Sequence, residues 1–270
     1  MKTLVCETKE GNTMKNLLKE KITNNEHTIG VFQVLGDASI AEIIGYAGFD
    51  YVLIDTEHGP FEIQAAQEYI RAAKLAGTTP LARVKDSSRN SILKMLDVGA
   101  QGLVIPHLHK VDEIKQVVEY GKYYPIGDRG FGATSGNTFL TADYTKQGML
   151  ELFKIHNQET LIIPQCETKE SLENIEEIVK VDGVDGIFIG PYDLSVSLGV
   201  PGEVEGPVIK AAIQRVVAAA QAAGKFTISY TDRAPAISDI YEMGVDSVTY
   251  SSDASILSRT LTDLIQQIKK

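Results

Sequence analysis

The sequence predicts an α/β fold closed as a single (β/α)8 TIM barrel, and three observations predict it. Short runs rich in Val, Ile and Leu alternate with helix-patterned stretches, the order that builds a parallel sheet. The runs are almost continuously apolar instead of alternating, as strands covered on both faces must be. Eight of them recur with no GxGxxG opening the first helix, which favours a closed barrel over a doubly wound open sheet. A chain of 270 residues fits one such barrel.

Taken in order, residues 1–13 read as a flexible N-terminal extension. A helical pattern opens at Met14, so the barrel domain is expected over 14–270. Strands are predicted at 28–34, 51–55, 79–83, 102–106, 160–166, 186–189, 226–230 and 247–251. Helical stretches fall between them at 61–76, 88–98, 171–180, 208–223 and 255–269. Gly77, Gly99 and Gly224 follow helix ends, where a left-handed residue commonly stops a helix. The turns Gly48-Phe49-Asp50, Gly183-Val184-Asp185 and Gly244-Val245-Asp246 each lead into a strand. One interruption, residues 122–158, separates strands four and five and contains GDRGFGATSG at 127–136. A connection of that length in a compact domain is a functional or an interface element.

The net charge is −10, and an acidic chain repels phosphate backbones and anionic lipid. Nucleic-acid and membrane roles are therefore not expected. Cys6 and Cys166 are far apart and form no CxxC pair, which argues against a disulfide framework or a thiolate zinc site. The first residues lack the apolar core of a signal peptide, and no apolar run is long enough to span a bilayer. A cytoplasmic location is the expectation.

In a barrel of this kind, chemistry sits where strands end. Strand five ends Gln165-Cys166-Glu167, and side-chain alternation turns Gln165 and Glu167 into the mouth while Cys166 faces the helices. Strand six delivers Asp193 at the neighbouring strand end. Two carboxylates there, with room for water and substrate oxygens, suit a hard divalent cation. The bland alternative makes Glu167 a helix cap and Asp193 a turn cap. Strand two ends Asp55-Thr56-Glu57-His58, and His58 reads as a general base or a loop histidine. Arg83 ends strand three facing inward, which is costly unless its charge meets a substrate anion or a partner such as Glu57 or Asp97. Lys85 could form a Schiff base, although beside Asp86 it reads better as a solvated cation. His107 and His109 have ligand-like spacing but no third ligand nearby. The glycines of 127–136 either present backbone N–H groups to an anion or allow a tight loop.

The motifs DTEHGP, LDVGAQGLVIP, GDRGFG, QCET and DGIFIGPYDLSVSLGVPG occur in that order and together resemble the HpcH/HpaI family of class II pyruvate aldolases. The resemblance runs over about 28–268. It implies a barrel of the phosphoenolpyruvate/pyruvate type that cleaves or forms 4-hydroxy-2-keto acids from pyruvate and an aldehyde. It also implies Mg²⁺, Mn²⁺ or Co²⁺ as cofactor, with no organic cofactor. By motif, His58 matches the general base, Arg83 the enolate-stabilising arginine, and Glu167 and Asp193 the metal ligands. Gln165 matches a pyruvate contact, and the backbone at Tyr192 and Asp193 the segment holding the pyruvate carboxylate. Asp97 matches an aspartate that assists the histidine, across a subunit boundary in some arrangements. A homo-oligomer, a hexamer in the family, is implied, with the last helix exchanged between partners in the wider superfamily.

This chain departs from the family pattern at Tyr192, which replaces a small residue, at TYSSD in strand eight, and at VKDSS after strand three. These changes leave the two metal-ligand positions in place and bear on the aldehyde. Rival readings are an oxaloacetate-type decarboxylase using the same enolate, or a keto-acid-binding barrel without catalysis.

Overall fold

A computed structural model describes residues 14–269, so the extension expected over 1–13 lies outside the described residues. The first helix is α1 (Leu17–Thr23), capped by Asn16, whose side chain accepts the Lys19 N–H. Next come β1 (Thr28–Gln33), α2 (Ala38–Tyr46), β2 (Tyr51–Asp55), α3 (Ile63–Leu75), β3 (Thr79–Arg83) and α4 (Arg89–Asp97). The middle of the chain forms β4 (Gly102–Ile105), α5 (Val111–Gly121), α6 (Met149–Glu159), β5 (Leu161–Cys166), α7 (Lys169–Glu173) and α8 (Ile175–Ile178). The remainder forms β6 (Gly186–Ile189), α9 (Pro191–Ser197), α10 (Pro207–Ala222), β7 (Phe226–Thr231), α11 (Ala236–Glu242), β8 (Ser247–Ser252) and α12 (Asp253–Ile268). Each strand pairs in parallel with the next, and β8 returns to β1, closing the predicted barrel.

Three strands, β2, β3 and β6, coincide with the predicted bounds, and each of the others differs by one residue at one end. The six predicted turn and cap glycines all adopt positive φ. Two expectations change. The helix predicted over 171–180 is two short helices broken at Asn174, whose side chain donates to the Glu170 and His109 carbonyls. Such local side-chain bonding competes with the helix ladder. The connection over 122–158 contains helix α6.

Alternation along the strands sorts the core into two. Tyr51, Leu53, Leu81, Val104, Leu161, Ile163, Phe188, Phe226 and Ile228 point inward and fill the barrel. Their neighbours, such as Val52, Ile54, Ala82, Leu103, Ile162 and Ile187, point outward and pack against the helices. Gly30 makes room inside: a Cβ there would lie 2.2 Å from the Tyr51 ring. Leu18 of α1 is fully buried with the inward set and plugs the amino-terminal end. The interior is thus a packed core, open only where the strands finish.

At the same amino-terminal end, buried Lys122 ties the long connection to the barrel. Its ammonium reaches Asp185 at 2.7 Å and the Asn157 carbonyl at 2.9 Å. Helix α12 is less well covered: Leu257, Leu261, Leu264, Ile265 and Ile268 are all exposed. Among the described residues no helix is long and apolar enough to cross a membrane.

Candidate active site

The inward alternation that builds the core ends, at the carboxyl side of the sheet, on polar residues. Asp55 and Arg83 are register partners on β2 and β3, one inward position beyond Leu53 and Leu81. The guanidinium donates to both Asp55 oxygens, at 3.0 and 2.6 Å, and lies 3.2 Å from Glu57. Its carbon sits 4.7 Å from the centre of the Phe32 ring. Burial alone would weaken the Arg83 cation. The Asp55 hydrogen bonds and the charges of Asp55, Glu57 and Glu167 outweigh that and raise its pKa. Asp55 also accepts the Glu57 and His58 N–H groups, so one buried carboxylate orients both the arginine and the loop that follows β2.

At the end of β5, Gln165 faces the mouth and Cys166 faces outward, as alternation predicts, and Glu167, the next residue, is bonded to Gln165. Burial pushes the Cys166 thiol up to about 12, so it is an inert core group. One Glu167 oxygen accepts the His107 N–H at 2.6 Å, and the other accepts from the Gln165 amide. A Cβ at position 190 would lie 2.9 Å from the Gln165 nitrogen and 3.1 Å from the Glu167 Cβ, so Gly190 lets β6 close on this pair. Burial raises the Glu167 carboxyl above its usual range. The His107 N–H opposes this, and the charges of Asp193 and Glu57 add to it. Asp193 lies in the first turn of α9, exposed at the same mouth.

A cavity of about 250 Å³ opens here, with Phe32, Val34, Asp55, His58, Arg83, Gln165, Phe188, Tyr192, Asp193, Tyr230 and Ser252 among its walls, and Glu167 lies beside it, against Gln165 and Gly190. The His58 side chain is 71% exposed, with Nε2 3.9 Å from Glu57. The structure therefore brings together His58, Arg83, Gln165, Glu167, Tyr192 and Asp193.

It does not bring Asp97 to them. That residue ends α4, away from the mouth, and accepts from Arg129 at 3.0 Å. As a partner for Arg83, Asp97 is replaced by Asp55, because register places Asp55 directly opposite. Lys85 lies outside the cavity, in a separate depression near Glu62. The rings of His107 and His109 meet edge to face at 4.7 Å. Among the described residues no group of three or more His, Cys, Asp or Glu side chains is arranged to hold a metal. The 127–136 segment packs as a tight loop: a Cβ at Gly136 would lie 2.3 Å from the Leu96 carbonyl, and Arg129 stacks over Tyr123. Sequence reasoning missed Asp55 as the arginine's anchor, and Phe32, Phe188, Tyr230 and Ser252 as walls. Counting inward positions along β1, β2, β6 and β7 would have found all but Ser252, which follows a register shift in β8.

The donor set fits a hard cation. Glu167 and Asp193 repel one another in the absence of a positive charge between them. The Gln165 Oε1 atom is buried with no hydrogen-bond partner among the described residues, which leaves its lone pairs open to a cation or a ligand. Oxygen donors of this kind suit Mg²⁺ or Mn²⁺ better than a thiolate-preferring metal.

The chain is similar to known proteins over most of its length. Residues 28–247 match the family model described as HpcH/HpaI aldolase/citrate lyase. The chain is 34% identical over 246 residues to 2-keto-3-deoxy-L-rhamnonate aldolase of Escherichia coli, covering 88% of this chain and 90% of that protein. The fold matches an HpcH/HpaI aldolase of Desulfitobacterium hafniense DCB-2 at TM-score 0.88 and 28% identity, over 94% and 97% of the two chains. It also matches citrate synthase SbnG at TM-score 0.83 and 28% identity, over 93% and 97%. The barrel is thus an enzyme of the aldolase type, a lyase that acts on carbon–carbon bonds. The chain belongs to the HpcH/HpaI aldolase/citrate lyase family.

Proposed function

We propose that this protein is a divalent-metal-dependent aldolase that cleaves 4-hydroxy-2-keto acids to pyruvate and an aldehyde, or runs the addition in reverse. The observation that carries the reading is the company of Glu167. Burial and the charge of Asp193 raise its carboxyl above the usual range, and it lies beside an orphaned amide oxygen, next to a cavity that holds a fixed arginine and an accessible histidine. A cavity of about 250 Å³ falls below the roughly 300–1,000 Å³ of sites for drug-sized ligands, which suits a three-carbon acid and a small aldehyde.

Glu167 and Asp193 would hold the ion, with Gln165 beside it. Bound there, the ion would supply Lewis-acid polarisation of the keto oxygen. The rest is done by the chain. In cleavage, His58 takes the proton from the C4 hydroxyl, the C3–C4 bond breaks, and the aldehyde leaves. The electron pair passes into the pyruvate enolate, and negative charge gathers on the former keto oxygen. Arg83, held in place by Asp55, stabilises that charge more than it stabilises the ground state. In synthesis, His58 instead removes a methyl proton from pyruvate.

Asp97, bonded to Arg129 in its own chain, would assist a histidine across a subunit boundary, and the exposed apolar stripe of α12 supports a homo-oligomer, a hexamer by family resemblance. The name of the Escherichia coli relative makes 2-keto-3-deoxy sugar acids the first substrates to try.

The test is exchange of pyruvate methyl protons with D₂O, which needs no aldehyde. Exchange should stop with EDTA, return with Mg²⁺, Mn²⁺ or Co²⁺, and be absent from Glu167→Gln. Exchange at full rate in EDTA, or in that variant, would end this reading.

A further inference from the structure

Two cavities meet at Tyr192. Behind the one just described lies a smaller space of about 50 Å³ between α10, β7 and α11, whose walls include Glu205, Lys210, Ser229, Asp232 and Arg233. Pro191, Tyr192 and Tyr230 line both spaces. The two tyrosine rings meet edge on, 6.0 Å apart at 65°, and stand between the compartments. The Tyr192 hydroxyl donates to Asp232 Oδ1 at 3.1 Å. The loop carrying Asp232 is itself held, because Arg259 donates to the Asp232 carbonyl at 2.8 Å and to Ser251 Oγ at 2.9 Å. Tyr192 is 40% exposed, so its ring can swing aside without opening the apolar core.

Resting on the aldolase reading, we propose that Tyr192, latched to Asp232, is the partition that sets aldehyde length. Latched, it confines the aldehyde to short chains. Displaced, it joins the two spaces into one compartment that takes a longer hydroxylated tail. The chemistry behind the partition selects that tail. Arg233 pairs with Glu205 at 2.6 Å, and the buried Ser229 Oγ has no hydrogen-bond partner. A polyhydroxy chain can bond to these groups, whereas an alkyl chain would strip water from them without replacement. Tyr192 also precedes Asp193 directly, so the residue that limits the aldehyde is adjacent to a proposed ligand of the ion.

The experiment measures kcat/KM for pyruvate addition to glycolaldehyde, erythrose and pentanal in wild type, Tyr192→Ala and Asp232→Ala. Tyr192→Ala should raise the erythrose-to-glycolaldehyde ratio by about tenfold or more, the order that relief of one or two misfitting carbons gives. The pentanal ratio should rise less. Asp232→Ala removes only the latch and should move the erythrose ratio the same way by a smaller factor, which decides the matter if Tyr192→Ala does not fold. Flat ratios in the folded variants overturn the partition, and pentanal rising as far as erythrose overturns the hydroxylated tail. Metal-dependent D₂O exchange in wild type separates the two readings. If exchange is present and the ratios are flat, the partition alone fails; if exchange is absent, the aldolase reading itself fails.

Discussion

The Arg83 guanidinium donates twice to Asp55 and reaches Glu57, so its charge is met on two sides before any substrate arrives. A buried ion pair seldom adds net stability, but removing one partner is costly, and the geometry fixes the cation where the proposed enolate would develop. His156 shows the opposite arrangement. It is buried in α6, its Nε2 has no hydrogen-bond partner, and burial together with the Arg129 and Lys74 charges pushes its pKa down to about 4. The unfolded chain titrates near the ordinary value of 6.5. Between those values the unfolded state binds a proton that the folded state refuses, so stability present above pH 6.5 is lost as pH falls towards 4. At about 1.4 kcal/mol per pKa unit the loss is on the order of 3 kcal/mol. Urea unfolding at pH 7, 5.5 and 4.5 should show His156→Gln flattening the decline in that window. Parallel curves for variant and wild type would mean that the histidine carries none of it.

At the scale of elements, the strands were legible because parallel strands buried on both faces leave almost unbroken Val, Ile and Leu runs, and period two then assigned Gln165 and Glu167 to the mouth. The break at Asn174 was not, because an apolar period is blind to a side chain that bonds its own helix. Nor was the Arg83–Asp55 pair, since it depends on register between strands and not on spacing within one. Helix α12 shows what a single sequence leaves open. Its 3.6-residue stripe predicts a helix correctly, but Leu257, Leu261, Leu264 and Ile265 remain exposed, a stripe that the proposed homo-oligomer would cover. Half-burial of each would contribute about 1 kcal/mol. Replacing Leu261 and Leu264 by Glu should therefore reduce the mass seen by light scattering from a multiple of 29.4 kDa to that of one chain. A wild-type protein that already scatters as one chain at micromolar concentration would remove the oligomer.

Across the whole molecule, chemistry and stability occupy opposite ends of the barrel. At the amino-terminal end Leu18 plugs the interior and Lys122 binds Asp185, so these side chains hold the fold together. At the carboxyl end Glu167, Asp193 and Glu57 crowd like charges that fold at a cost, which the proposed cation would relieve. Substitutions at the two ends should therefore dissociate. Leu18→Ala should lower stability by about 2–5 kcal/mol, as deletion of a buried leucine does, while leaving kcat/KM of the folded fraction unchanged. Glu167→Gln should do the reverse: turnover is lost, while the metal-free protein melts higher because one repelling charge is gone and the His107 N–H keeps an acceptor. A gain of about 1 kcal/mol corresponds to roughly 2–4 °C in Tm for a chain of this size. Melting curves with EDTA present, set beside turnover with Mn²⁺, read both effects. If Glu167→Gln melts lower than wild type without metal, the carboxylate is a structural cap and the strained-site account is wrong.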